Sequence, residues 1–245
     1  MRNICGAYRV IRLMKKSCLL FAISLAFVSA EEVPSQDILQ VQQREGWTVR
    51  VDERLLKGEH SEEGAKALKL LDAKLVAITA VVPAKALAEL RKVTIQINYD
   101  YGKLSPMQYH PEAQWLKENG YSAKLARCVH IPQAFEILSP AENQRMSYVV
   151  LHELAHAYHD QVLGFEDPRI LALWKKFCAS GKYKSVLTST GEMREHYGLT
   201  DQKEFFAEMT EVYFGYNDFY PFVAGELKQV ESEIFALMTE IWGKI

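Results

Sequence analysis

The sequence lacks the features that would mark a membrane protein, a nucleic-acid binder or a disulfide scaffold. Its uncharged run from Ser17 to Ala30 has an apolar stretch only from Cys18 to Val28, well short of the roughly 20 residues that a spanning helix needs. Basic clusters are missing beyond that run. The 245 residues hold 29 Lys and Arg against 31 Asp and Glu, and five of the 29 fall within the first 30 positions. With no basic stripe to follow a phosphate backbone, nucleic acid is excluded as a partner. Cysteine is scarce, and after residue 30 only Cys128 and Cys178 remain. That pair leaves one disulfide or two free buried thiols as equal alternatives. No internal repeat and no low-complexity linker divides the chain, so one folded domain is expected.

The N-terminus reads as a targeting segment. Arg2, Arg9, Arg12, Lys15 and Lys16 precede the uncharged run, and Val28, Ser29 and Ala30 supply the small residues of a cleavage site before Glu31. A signal peptide over residues 1–30 and a mature chain over 31–245 follow, with export to a periplasmic or extracellular compartment. Met14 offers a second possible start, with the ordinary opening Met-Lys-Lys. After cleavage the chain has 24 basic and 31 acidic residues, a net charge of about −7, and no membrane span.

Hydrophobic periodicity outlines the domain. A polar lead-in from Glu31 to Gly46 is followed by a short strand at Trp47 to Val51. Leu68, Leu71, Leu75 and Ile78 recur at three- and four-residue spacing, the apolar stripe of a helix over about 62–82 that Pro83 ends. A short helix over 84–90 precedes Val93, Ile95, Ile97 and Tyr99, whose alternation predicts a strand with one buried face. Residues 100–120 read as an aromatic loop and Cys128 to Ile131 as another short strand. The rest is helical: 141–163, opened by Ser139 and Pro140, then 168–180, 201–213 and 221–242. Strands first and helices afterwards predict an α+β fold.

Within the 141–163 segment lies His152-Glu153-Leu154-Ala155-His156. Histidines four apart on a helix project from one face about 6 Å apart along the axis, so both imidazoles can converge on one ion. Glu153 sits beside them, where a carboxylate acts as general base toward a water activated by zinc. A catalytic zinc takes three protein ligands and keeps one position open. Glu204, Glu208 and Glu211 form a stripe on the 201–213 helix that can supply the third, or can be a solvated acidic face.

His152 to Ala157 (H-E-L-A-H-A) and Tyr197 to Glu208 (Y-G-L-T-D-Q-K-E-F-F-A-E) resemble the lethal-factor-like zincins, the group of the anthrax lethal factor catalytic domain and the Pro-Pro endopeptidases. The likeness covers about 18 residues. It implies a zincin-like domain binding one zinc per chain through His152, His156 and Glu204. It implies Glu153 as catalytic base, Tyr197 as the phenol that stabilises the tetrahedral oxyanion, and Glu208 as hydrogen-bond partner of a ligand imidazole, or as ligand itself if the helix is rotated. Nothing outside the two segments matches, so no kinase-cleaving or proline specificity transfers.

Other residues compete for these roles. His159 lies too far along the helix from His152 to share an ion with it, and is expected at the surface or behind a ligand. His130 sits in a strand expected to edge the cleft, where backbone amides would meet an extended substrate, so its side chain is expected to be incidental. Glu192, Glu195 and His196 are alternative ligands. The aromatic run Phe205, Phe206, Tyr213, Phe214, Tyr216, Phe219 and Tyr220 is expected in the core. The expectation is a zinc metallopeptidase acting on a peptide or protein substrate. Its alternatives are an inactive zincin-fold binding protein of the cell envelope and a zinc amidase acting on cell-wall peptides.

Overall fold

The computed structural model describes residues 38–245 apart from 103 and 146; the signal-peptide reading lies outside these residues. Strands β1 (Leu39–Arg44) and β2 (Trp47–Asp52) form a hairpin whose first strand lies within the expected polar lead-in. Its two-residue turn places Glu45 and Gly46 at φ values of 49° and 93°, the left-handed pair that matches the twist of a hairpin. β1 shows no buried face, which is why apolar alternation could not reveal it.

Helix α1 (Ser61–Val81) buries Leu68, Leu71, Leu75 and Ile78, each contributing about 2 kcal/mol by removing an aliphatic side chain from water. After α2 (Ala84–Leu90) come β3 (Thr94–Ile97), β4 (Gln108–His110), α3 (Ala113–Glu118) and β5 (Cys128–Ile131). The stretch read as a loop thus holds a strand and a helix, both too short to display a period. The sheet order is β1-β2-β3-β5-β4, with β2, β3 and β5 parallel and both outer strands antiparallel to their neighbours. β5 is therefore interior, and the edge next to it is β4. This corrects the expectation that residues 128–131 border the cleft.

Alternation sends Val49, Val51, Ile95, Ile97, Val129 and Ile131 into the main core. Gln96, His110 and His130 take the opposite face. There His130 Nε2 lies 3.0 Å from Asn98 Oδ1, and His130 Nδ1 lies 3.4 Å from His110 Nε2. Burial pushes these imidazoles down, His110 to about 4 and His130 to about 3, so they serve as neutral hydrogen-bonding groups under the sheet.

The helical half is more broken than its pattern suggests. α4 (Ala134–Leu138) and α5 (Pro140–Arg145) precede α6 (Val149–Tyr158), which carries the histidine motif and runs on as a π-helical turn, His159–Leu163. The single helix expected over 141–163 is interrupted near Ser147, whose carbonyl accepts from Lys74 Nζ of α1 at 3.0 Å. α7 (Pro168–Ala179), a small hairpin of β6 (Val186–Leu187) and β7 (Met193–Arg194), and α8 (Gln202–Phe214) follow. The expected last helix is two, α9 (Ala224–Val230) and α10 (Ser232–Trp242). Strands and helices are interleaved in the N-terminal half, so the architecture is α+β around one mixed sheet. No helix among the described residues is long and apolar enough to cross a membrane. Cys128 and Cys178 are free thiols, which settles their pairing: burial holds the Cys128 thiol up at about 12, so it is inert and protonated.

Candidate metal centre

α6 packs against α8, and the contact brings the two sequence segments together. α8 starts at Asp201, whose Oδ1 accepts from the backbone N–H groups of Lys203 and Glu204 at 2.8 and 2.9 Å. That cap fixes the first turn and aims Glu204 at the histidine pair. Glu204 Oε2 lies 3.1 Å from His152 Nε2 and 3.4 Å from His156 Nε2. A tetrahedral ion with bonds of about 2.05 Å sets its ligand atoms about 3.3 Å apart. His152, His156 and Glu204 are thus spaced to hold one divalent metal, and their ligand atoms all lie within 4.8 Å of one another.

The outer side of His152 departs from expectation. Its Nδ1 lies 2.7 Å from Glu211 Oε1 and 3.8 Å from Glu208 Oε1. Glu211, two turns beyond Glu204, is the carboxylate that orients the imidazole, whereas Glu208 accepts from Asn217 Nδ2 at 3.0 Å. The stripe was visible in the sequence, but its rotation against α6 depends on packing that no pattern encodes. A carboxylate on Nδ1 fixes the tautomer so that Nε2 presents its lone pair to a metal. Glu211→Gln is expected to weaken divalent-metal binding about 10–100-fold, measured by competition with a chromogenic chelator; unchanged affinity would mean that Nδ1 is oriented by another group.

Electrostatics follow from burial and pairing. Burial pushes the Glu204 carboxyl up, but hydrogen bonds from His152 and His156 outweigh it and hold the group below its ordinary range. Burial opposes a charge on His152, yet Glu204 and Glu211 raise it well above the usual imidazole value. Glu208 is raised well above the carboxylate range by burial and by the neighbouring Glu211 charge. Glu153 is raised by burial, with His156 and His152 pulling the other way, and its Oε2 accepts from the Tyr109 N–H of edge strand β4 at 2.7 Å. Tyr109 in turn donates its hydroxyl to Asp160 Oδ2 at 2.7 Å, in the π-helical turn.

These groups open into a cleft of about 950 Å³, lined by His152, Glu153, His156, Tyr197 and Glu204. Tyr197, on the 3-10 turn Tyr197–Leu199, is 47% exposed. Burial and the Glu204 charge raise its phenol above the ordinary value, so it stands as a neutral donor at the mouth.

The remaining candidates lie elsewhere. His159 is buried between the rings of Phe165 and Phe206, so it is a core residue and not a surface one. His130 lies on the far face of the sheet. Glu192 and Glu195 are exposed, Glu192 being paired with Arg194, and His196 is buried with Nδ1 turned to the Gly198 N–H at 3.0 Å. In comparisons with known proteins, the chain matches no family model, no curated protein and no solved structure. Its function rests on the geometry of the site.

Proposed function

We propose that this protein is an exported zinc-dependent metallopeptidase with the zincin arrangement. The observation that carries the proposal is the approach of Glu204 to both imidazoles at 3.1 and 3.4 Å, from 48 or more positions further along the chain. Nitrogen and oxygen donors at tetrahedral spacing suit zinc. When bound, zinc supplies Lewis acidity and makes water a nucleophile near neutral pH.

The chain's own residues supply the rest. Glu153, within the cleft and with its carboxyl raised above the ordinary value by burial, takes the proton of the attacking water and returns it to the leaving amine. Tyr197 donates its phenolic hydrogen to the carbonyl oxygen as negative charge develops there. Strand β4 is the sheet edge beside Glu153 and borders the cleft through Gln108 and Tyr109, the setting in which an extended peptide adds a strand. Chemistry of this kind needs no covalent intermediate, in keeping with a cleft whose lining residues include no cysteine.

The test is metal content and cleavage measured together. The full chain is expected to carry one zinc by elemental analysis and to cut members of a peptide library, to lose that activity in a chelator and to regain it with zinc. Cleavage unaffected by the chelator, or a protein that takes up no zinc, would overturn the reading.

A further inference from the structure

We propose that His196 is a positioning residue for Tyr197: its imidazole caps and locks the turn that carries the phenol. This rests on the role assigned to Tyr197 above and goes beyond it. Among the described residues the Tyr197 hydroxyl makes no hydrogen bond, and the residue is 47% exposed. No hydrogen bond of its own fixes the phenol, so its placement depends on the turn that carries it.

That main chain is held from beneath. His196 is 1% exposed and precedes the turn with φ −67° and ψ 131°, the extended geometry of a helix cap. Its Nδ1 accepts from the Gly198 N–H at 3.0 Å, doing with a ring nitrogen what Ser, Thr, Asp or Asn does with oxygen at such positions. Its own N–H donates to the Tyr183 carbonyl at 2.9 Å, and its carbonyl accepts from Leu199 at 3.0 Å.

A short polar cap would satisfy the same N–H and leave the turn free to rock. The imidazole does more: aromatic rings pack around it, and Glu208 Oε2 lies 3.8 Å from its Nδ1. Phe219 stacks on it at 5.2 Å and 30°, while Phe177 and Tyr183 meet it edge to face at 5.3 and 5.8 Å. Because Nδ1 accepts, the ring proton sits on Nε2, which is buried with no hydrogen-bond partner and lies among these rings. A polar N–H left unpaired in a core costs free energy. Burial pushes the imidazole down to about 3, which keeps Nδ1 an acceptor at any working pH.

Gly198 completes the device. A Cβ there would lie 3.2 Å from His196 Nδ1 and 3.3 Å from Phe205 Cα, so its absence lets the turn seat directly on α8, one residue from Glu204. The phenol and the metal-facing carboxylate are thereby referred to the same helix. Displacements of about 1 Å in a reacting constellation cost on the order of 100-fold in rate.

The test uses the library peptide that the native full chain cleaves fastest, with kcat, KM and zinc content measured for each variant. His196→Leu fills the ring's space without an acceptor and is expected to lower kcat about 10–100-fold, with KM and zinc content unchanged. His196→Asn restores a cap acceptor and is expected to recover part of the loss. In a Tyr197→Phe background, His196→Leu is expected to cost nothing further, because the phenol it positions is gone. Should His196→Leu fail to fold, Gly198→Ala serves instead, with the same loss expected in the native background and none with Tyr197→Phe. An equal loss in both backgrounds would overturn the role of His196 and leave that of Tyr197 standing; a Tyr197→Phe protein with native kcat would overturn both.

Discussion

Exchange of Glu153 for Gln is expected to lower kcat by about 10²–10⁴-fold, the contribution of a well-placed general base, while zinc content stays at one per chain. The substitution keeps the shape of the side chain and an oxygen able to accept from the Tyr109 N–H, so the cleft is expected to keep its form. What is lost is basicity: a carboxylate raised by burial becomes an amide that takes no proton near neutral pH. The two histidines and Glu204 are untouched, so metal binding and turnover separate in one variant. Elemental analysis beside a progress curve reads both, and undiminished cleavage would remove Glu153 from the mechanism.

Glu204→Ala is expected to act on the other half of that pair of measurements. Without the carboxylate, His152 and His156 offer two donors where a catalytic zinc takes three. Affinity is expected to fall more than 100-fold, beyond the 10–100-fold that losing an outer hydrogen-bond partner costs, and activity with it. Because Asp201 caps α8 through the backbone N–H groups of Lys203 and Glu204, the helix does not need the Glu204 side chain. Circular dichroism is therefore expected to stay native. Full zinc content in this variant would pass the third-ligand role to another group and end the present assignment.

The sequence exposed those parts of the molecule whose signal is local. The apolar stripe of α1 is visible at Leu68, Leu71, Leu75 and Ile78 because a long helix repeats its period several times, and all four are buried. The histidine pair is visible because one helical turn suffices to bring both rings to one face. β1 and β4 stayed hidden for opposite reasons. β1 buries neither face, so no apolar alternation marks it, and β4 is too short to alternate. The break before α6 is met by Lys74, more than seventy residues from Ser147 along the chain. The choice of Glu211 over Glu208 as partner of His152 depends on how one helix is rotated against another. Both are tertiary facts without a local trace. His196 stands in the sequence as an alternative ligand, with Glu192 and Glu195, because all three crowd the loop before Tyr197; the aromatic residues packed on it, Phe177 and Phe219, lie on either side of it in sequence at distances no motif spans.

The bond from the Tyr109 amide to Glu153, together with the Tyr109 hydroxyl on Asp160, bolts a three-residue strand to two points along one helix. A ligand that lengthens the sheet at this border would tug on the same amide that steadies the Glu153 carboxylate. Occupancy of the groove and alignment of that carboxylate thus belong to one lever, and a ligand too short to grip the border would leave that lever slack.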